Sequence, residues 1–302
     1  MFGATVTFLI TTSRYRVAIV VAALMAPLSC AIAGEAAKEG EERVDTEFIF
    51  GFTAGADVGE LGERELEHQT QTLWAKRDGS YTALTDQLRY ETSPLQDFRF
   101  EIGAPIAYYN MSGVTGLDDR NQAAFNGVST EFRYRLFDRD HAPFGLTLSA
   151  EPHWARTDEI TGERVENYGG ELSVALDKEL IPNRVFAAFN AVYDPEVSRT
   201  PGLWVRESGL SFSAAITTQI SPGIFVGGEA RYMRKYDGVD LDTLSGQAFF
   251  AGPSAFWRIS KRFAVSGAWS VQVAGRSTDV PAALDLVKFT RQQALLRVEY
   301  NF

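Results

Sequence analysis

The sequence predicts an all-β protein: a transmembrane antiparallel up-and-down β-barrel of about 12 strands after an N-terminal signal peptide. Three observations carry this expectation. An export leader opens the chain. Period-two alternation of apolar and polar residues recurs in blocks of roughly ten. The last block closes on an aromatic at Phe302.

The leader comes first. Arg14 and Arg16 precede an apolar run over 17–28, and Ala31-Ile32-Ala33 supplies a small-x-small cleavage site. The run contains Pro27 and falls short of the ~20 apolar residues a membrane helix needs. Residues 1–33 therefore read as a signal peptide and 34–45 (GEAAKEGEERVD) as a charged, flexible segment. Residues 46–302 read as the barrel. Cys30, the sole cysteine, leaves with the leader, which excludes disulfides, Cys-ligated metals and thiol nucleophiles from the mature chain. With 39 acidic against 29 basic residues, the net charge of −10 argues against a nucleic-acid partner.

The strands follow in order. The first is read at 46–58. Residues 59–79 are read as an extension of the first outer hairpin, because a strand at 69–76 added alone would break the even count that single-chain bacterial barrels show. The next is 80–91, where Asp86 falls on an otherwise apolar face. In 98–109, Phe98, Phe100, Ile102, Ala104 and Ile106 oppose Arg99, Glu101 and Gly103. In 127–136, Val128, Thr130, Phe132 and Tyr134 oppose Glu131, Arg133 and Arg135. From Phe144, Leu146, Leu148, Ala150 and Trp154 oppose Thr147, Ser149, Glu151 and His153. Weaker alternation marks 168–177, 184–194 and 246–259, and clear alternation marks 204–217, 224–235 and 263–273. The final strand sets Ala294, Leu296, Val298, Tyr300 and Phe302 against Gln293, Arg297 and Glu299.

A soluble β-sandwich also alternates, and three features separate the two cases. Short turns at 93–96, 221–223 and 260–262 alternate with longer loops at 111–124, 157–166, 196–203, 237–244 and 276–288, as in outer-membrane barrels. The non-apolar face is charged, which a sandwich core would not tolerate. Aromatics such as Tyr108, Trp154, Tyr193, Trp204, Tyr232 and Trp257 gather near strand ends, as interfacial girdles do.

A charge facing lipid at mid-bilayer costs roughly 2–4 kcal/mol. Arg99, Glu101, Glu131, Arg133, Arg135, Glu151, His153, Glu171, Glu207, Glu229, Arg231, Arg297 and Glu299 are therefore assigned inward, as candidate pore-lining residues. The pattern of Val298, Tyr300 and Phe302 resembles the C-terminal recognition signal of bacterial outer-membrane barrels. That resemblance implies the barrel assembly machinery, with outer-membrane lipid and lipopolysaccharide as surroundings.

No cofactor or metal site is expected. Of three histidines, His68 lies in the unassigned region, His141 in a short-turn loop, and His153 beside Glu151 on the inward face. Enzymatic barrels such as outer-membrane phospholipase A carry a Ser two residues after the catalytic His. Here those positions are Thr70, Pro143 and Ala155, so no enzyme is expected. The loop Gly116-Leu117-Asp118-Asp119-Arg120-Asn121 lacks Ca²⁺-loop spacing, and Asp194, Glu196, Asp237, Asp240 and Asp242 read as acidic outer loops.

Several segments resemble an uncharacterised family of Gram-negative outer-membrane proteins. They include Phe52-Thr53-Ala54-Gly55-Ala56-Asp57-Val58-Gly59-Glu60, Pro143-Phe144-Gly145-Leu146-Thr147, Glu151-Pro152-His153-Trp154-Ala155-Arg156 and Val271-Gln272-Val273-Ala274-Gly275. The resemblance implies location and fold and brings no activity. The expected function is a porin-like channel for small solutes. A closed structural or adhesive barrel and a lipid-modifying enzyme are the alternatives.

Overall fold

The computed structural model describes residues 43–200 and 202–302. The leader at 1–33 and most of 34–45 lie outside these residues. Thirteen β-segments form one antiparallel sheet. They are β1 (Arg64–Trp74), β2 (Ser80–Leu95), β3 (Phe98–Ser112), β4 (Arg120–Phe125), β5 (Val128–Phe137), β6 (Gly145–Thr157) and β7 (Arg164–Ile181). Then come β8 (Val185–Thr200), β9 (Leu203–Ser221), β10 (Ile224–Asp237), β11 (Thr243–Arg258), β12 (Phe263–Ser277) and β13 (Gln292–Asn301). Consecutive segments pair, except that β4 and β5 both pair with β3 and not with each other, and β1 pairs with β13 from Glu65↔Asn301 to Trp74↔Gln292. That pairing closes the sheet into a barrel, the form in which strands can satisfy their backbone groups within hydrocarbon.

β4 and β5 are one stave broken in the middle. Both pair with β3, β4 through Ile106↔Phe125 and β5 through Gly103↔Ser129. Gly127 causes the break: it has φ +103°, and a Cβ there would stand 1.7 Å from the Trp154 carbonyl oxygen. Asn126 replaces the lost ladder bonds, its Oδ1 accepting from the Arg156 and Thr157 amides at 3.1 and 2.8 Å. Counting this pair once gives the expected 12 staves.

The members of that count differ from expectation at the start. Residues 46–58 are not a strand; they form turns inside the barrel, and β1 takes their place. The alternation over 46–58 is real but serves packing inside an enclosed space, where apolar residues need no single face. β1 escaped notice because its inward face (Glu65, Glu67, Gln69, Gln71) and half of its outward face (His68, Thr70, Thr72) are polar. Likewise 120–125, read as loop, is β4, and 196–200, read as loop, completes β8.

The outward face is an apolar belt that includes Ile102, Ile106, Phe132, Leu148, Leu172, Ile216 and Leu296, all more than a third exposed. Tyr300 and Phe302 also face outward and stack at 6.3 Å, with Tyr90 6.5 Å from Phe302. Asp86 does interrupt the belt, opposite Thr70 and Ile106. It accepts a hydrogen bond from the Thr70 hydroxyl at 2.7 Å and lies 2.8 Å from His68 Nε2. These contacts soften the cost of a carboxylate on that face without removing it. The double variant Asp86→Leu/His68→Leu is expected to gain about 1–2 kcal/mol in urea unfolding of the folded barrel, since apolar isosteres often outperform such pairs. An unchanged or lower midpoint would show that the pair carries no net penalty.

Candidate functional site: a plugged, carboxylate-lined lumen

Residues 43–63 precede β1; 44–58 occupy the lumen and 59–63 lead out to β1 at the rim. The segment rises from the short-turn rim, turns back at 50–54 and returns to the same rim. Its neck is closed by the Gly55 amide donating to the Glu47 carbonyl at 3.0 Å. At the turn, the Phe52 and Thr53 amides donate to Glu229 on β10 at 3.2 and 3.0 Å, and Ala54 exchanges two hydrogen bonds with Asn190 on β8. Ile49 and Phe50, at most 1% exposed, pack with Phe186, Phe225 and Phe256.

A clasp holds the two ends of the plug at the short-turn rim. Asp57 bonds Arg43 at 2.7 Å and Arg139 at 2.6 Å, and Arg43 also meets Asp138 at 2.9 Å. Burial alone would raise the Asp138 carboxyl. The Asp140 amide with the Arg43 and Arg135 guanidiniums instead holds it below the usual carboxylate range.

The long-loop rim is narrowed by its own insertion. Residues 278–291, between β12 and β13, turn inward: Gln272 donates to the Asp285 and Thr290 carbonyls, and Phe289 packs on Phe250 at 6.3 Å. Lys76, in the β1–β2 loop, donates to the Val287 and Phe289 carbonyls at 2.9 and 3.0 Å. Burial pushes its ammonium down to about 8, against the pull of Asp285 and Glu159.

Between the two rims the wall carries an unusual row of acids. Register sets Glu65 opposite Glu91, Glu91 opposite Glu101, Glu101 opposite Glu131, and Glu151 opposite Glu171. The pairs Ser129↔His153 and Leu172↔Tyr193 place Glu131 beside Glu151 and Glu171 beside Asp194. Seven adjacent staves thus present an in-register carboxylate, an arrangement that repels itself.

Arginines compensate one end of this row. Arg99, 3% exposed, bonds Glu47 of the plug and Glu91 of β2 and lies 3.8 and 3.9 Å from Glu101 and Glu65. Arg133 meets Glu47 at 2.6 Å and donates to the Gly55 carbonyl at 3.0 Å. Arg89 reaches Glu101, Glu67 and Glu151 at 3.6–3.8 Å. At the other end, among the described residues, no cation stands within 4 Å of Glu131, Glu171 or Asp194.

All thirteen residues assigned inward lie on the inward parity of their strands. The structure draws them into separate groups. Arg99, Glu101 and Arg133 join the plug network, and Arg135 meets Asp97 and Asp57 at 2.7 and 3.4 Å. Glu229 holds the plug turn, while the Arg231 guanidinium lies 3.6 Å from the centre of the Phe52 ring and donates to Ser270 and Gln293. Arg297 meets Glu67 at 2.7 Å, and Glu207 meets Lys288 at 3.7 Å. Glu299 has one buried carboxylate oxygen with no hydrogen-bond partner. Glu131, Glu151, His153 and Glu171 lie along the less compensated stretch. Residues the sequence reading missed are Glu47 and Asp57, placed in a strand, and Asp194 and Glu196, placed in an outer loop. The last two are inward residues of β8.

A closed antiparallel barrel with an apolar belt outside and a charged, plugged interior is built like an outer-membrane channel. Residues 42–302 match the model of a family of unknown function, DUF6662, and the chain belongs to that family. Among solved structures, the COG4313 outer membrane channel from Pseudomonas putida F1 is similar at 11% identity and a TM-score of 0.55, over 82% of this chain and 98% of that one. The KdgM porin (9% identity, TM-score 0.47, 79% of this chain and 99% of that one) also matches. So does the translocator domain of autotransporter NalP from Neisseria meningitidis (12%, 0.48, 82% and 91%). A comparison with curated proteins finds no match.

Proposed function

We propose that the protein is a porin-like channel of the bacterial outer membrane that passes small solutes and that its own N-terminal segment stoppers. One observation carries this reading: the lumen is filled by a segment outside the wall, held largely by hydrogen bonds and ion pairs. Polar contacts of this kind exchange for contacts with water, each worth only about 0.5–1.5 kcal/mol net, or about 1.5–3 where a charged group takes part. The fold shared with an outer-membrane channel supports the same reading. So does the leader, which directs the chain out of the cytoplasm, and the C-terminal Val298, Tyr300 and Phe302, a signal for the barrel assembly machinery. Lipid and lipopolysaccharide surround the belt. The thirteen inward residues would line the path. Seven of them are acids, which favours cations and neutral solutes over anions.

The test is planar-bilayer recording of the folded chain 34–302 beside a variant lacking 46–58. The intact protein is expected to conduct rarely and the deletion to show sustained, cation-selective steps. Silence from both, with heat-modifiable migration showing folded barrels, would reject the channel. It would favour a closed structural barrel, a reading supported by the apolar packing of Ile49 and Phe50.

A further inference from the structure

Strand register brings together three side chains that are far apart in sequence. His153 on β6 stands opposite Gly169 on β7, and Gly169 stands opposite Glu196 on β8. Because β7 offers no side chain there, residues two staves apart meet over it. A Cβ on Gly169 would come within 2.5 Å of His153 Nε2 and 3.1 Å of Glu196 Cγ. Asp194 lies two residues before Glu196 on the same inward face. One donor atom from each of His153, Asp194 and Glu196 falls within 4.8 Å of the others.

Few other side chains engage these groups. Asp194 Oδ1 is buried without a hydrogen-bond partner. No hydrogen bond or ion pair within 4 Å engages His153 among the described residues. Asn167 donates to Glu196 Oε2 at 2.8 Å, which fixes that carboxylate beside Asp194, as an outer-shell partner does for a metal ligand. A second glycine, Gly209 on β9, lets Lys235 approach from the far side. Lys235 Nζ and Asp194 Oδ2 stand 3.7 and 3.8 Å from the position of a Gly209 Cβ. Among the described residues the ammonium makes no ion pair within 4 Å, and it acts as a resident counter-charge. A second trio, the fully buried Glu47, Glu91 and Glu101, differs because Arg99 already sits among its carboxylates.

We propose that His153, Asp194 and Glu196 form a binding site for a divalent transition-metal ion on the lumen wall. An imidazole with two carboxylates suits borderline cations such as Zn²⁺ or Ni²⁺ better than Ca²⁺ or Mg²⁺, which prefer all-oxygen sites. Ligands on one Zn²⁺ stand roughly 3–4 Å apart, given bonds of about 2.0–2.2 Å. The trio needs to draw in only slightly. This deepens the channel reading by naming a cation class, yet the site exists whether or not the lumen conducts.

The test is Zn²⁺ binding to the folded chain 34–302 in detergent, by competition with a chromophoric chelator and metal analysis after desalting. One tight equivalent is expected. His153→Ala and Gly169→Val should each weaken it by about tenfold or more, Lys235→Met should tighten it, and His68→Ala and His141→Ala should leave it unchanged. Heat-modifiable migration verifies that each variant is folded, and His153→Gln serves if His153→Ala is not. Absence of an equivalent, or binding indifferent to both His153 and Gly169, overturns the site. Conductance recorded on the same preparations reports separately on the channel.

Discussion

Arg99→Met is expected to destabilise the barrel by about 3–5 kcal/mol and to free the plug, because it strips the partner from a set of buried charges. Arg99 bridges the plug carboxylate Glu47 and the wall carboxylate Glu91, with Glu101 and Glu65 just beyond. Without it, four carboxylates share one corner of the lumen with Arg133 and Arg89 alone to offset them. Moving Glu47 out to water relieves the repulsion while leaving the wall intact, so the expected relaxation ejects the plug. Urea unfolding followed by tryptophan fluorescence reads the first effect, and bilayer recording reads the second. Arg99→Lys keeps the charge but not the fork, and is expected to restore part of the stability. A midpoint equal to that of the parent protein would mean the network contributes nothing net.

Gly55→Val separates the plug from the wall. A Cβ at Gly55 would stand 2.2 Å from the Thr46 carbonyl oxygen, where two backbone strands of the plug cross at its neck. Neither strand can give way, since Thr46 is bonded to Asp57 and Asp177 and Gly55 to Glu47. Overpacking of about 3 kcal/mol would shift a seated-to-released equilibrium roughly a hundredfold. The expected result is sustained conductance with a fall in the unfolding midpoint that stops at the stability of the open barrel, since the loss is capped by what the seated plug contributes. Conductance like that of the parent protein, with the barrel folded, would show that releasing the neck does not open a path.

These two residues also mark what sequence reading reaches. The charge of Arg99 and its alternation with Phe98 and Phe100 were enough to place it inward. Eleven of the twelve staves were legible because an apolar outward face against a polar inward one leaves a period of two. The plug was not, because an enclosed segment alternates without facing lipid, and 46–58 imitates a strand closely. β1 was hidden by the opposite fault, a lipid face carrying His68, Thr70 and Thr72. The metal trio could not be read at all. Its members meet only through register across β6, β7 and β8, and the residue that permits the meeting, Gly169, has no side chain to notice.

The plug immediately precedes β1, and β1 forms the closing seam with β13. Phe48 of the plug lies under both Arg99 of β3 and Arg297 of β13, at 5.8 and 4.3 Å from the ring centre. The bonds of Phe52, Thr53 and Ala54 to Glu229 and Asn190 join residues 136 to 177 positions apart. Such distant contacts cannot form until most of the wall exists. The first part of the barrel unit to be made is therefore the last to find its place, and it does so while the seam is zipping beside it. The stopper thereby gauges the closure: a sheet curled to the correct circumference brings Arg99 and Arg297 over one phenylalanine, and a sheet one stave too wide or too narrow does not.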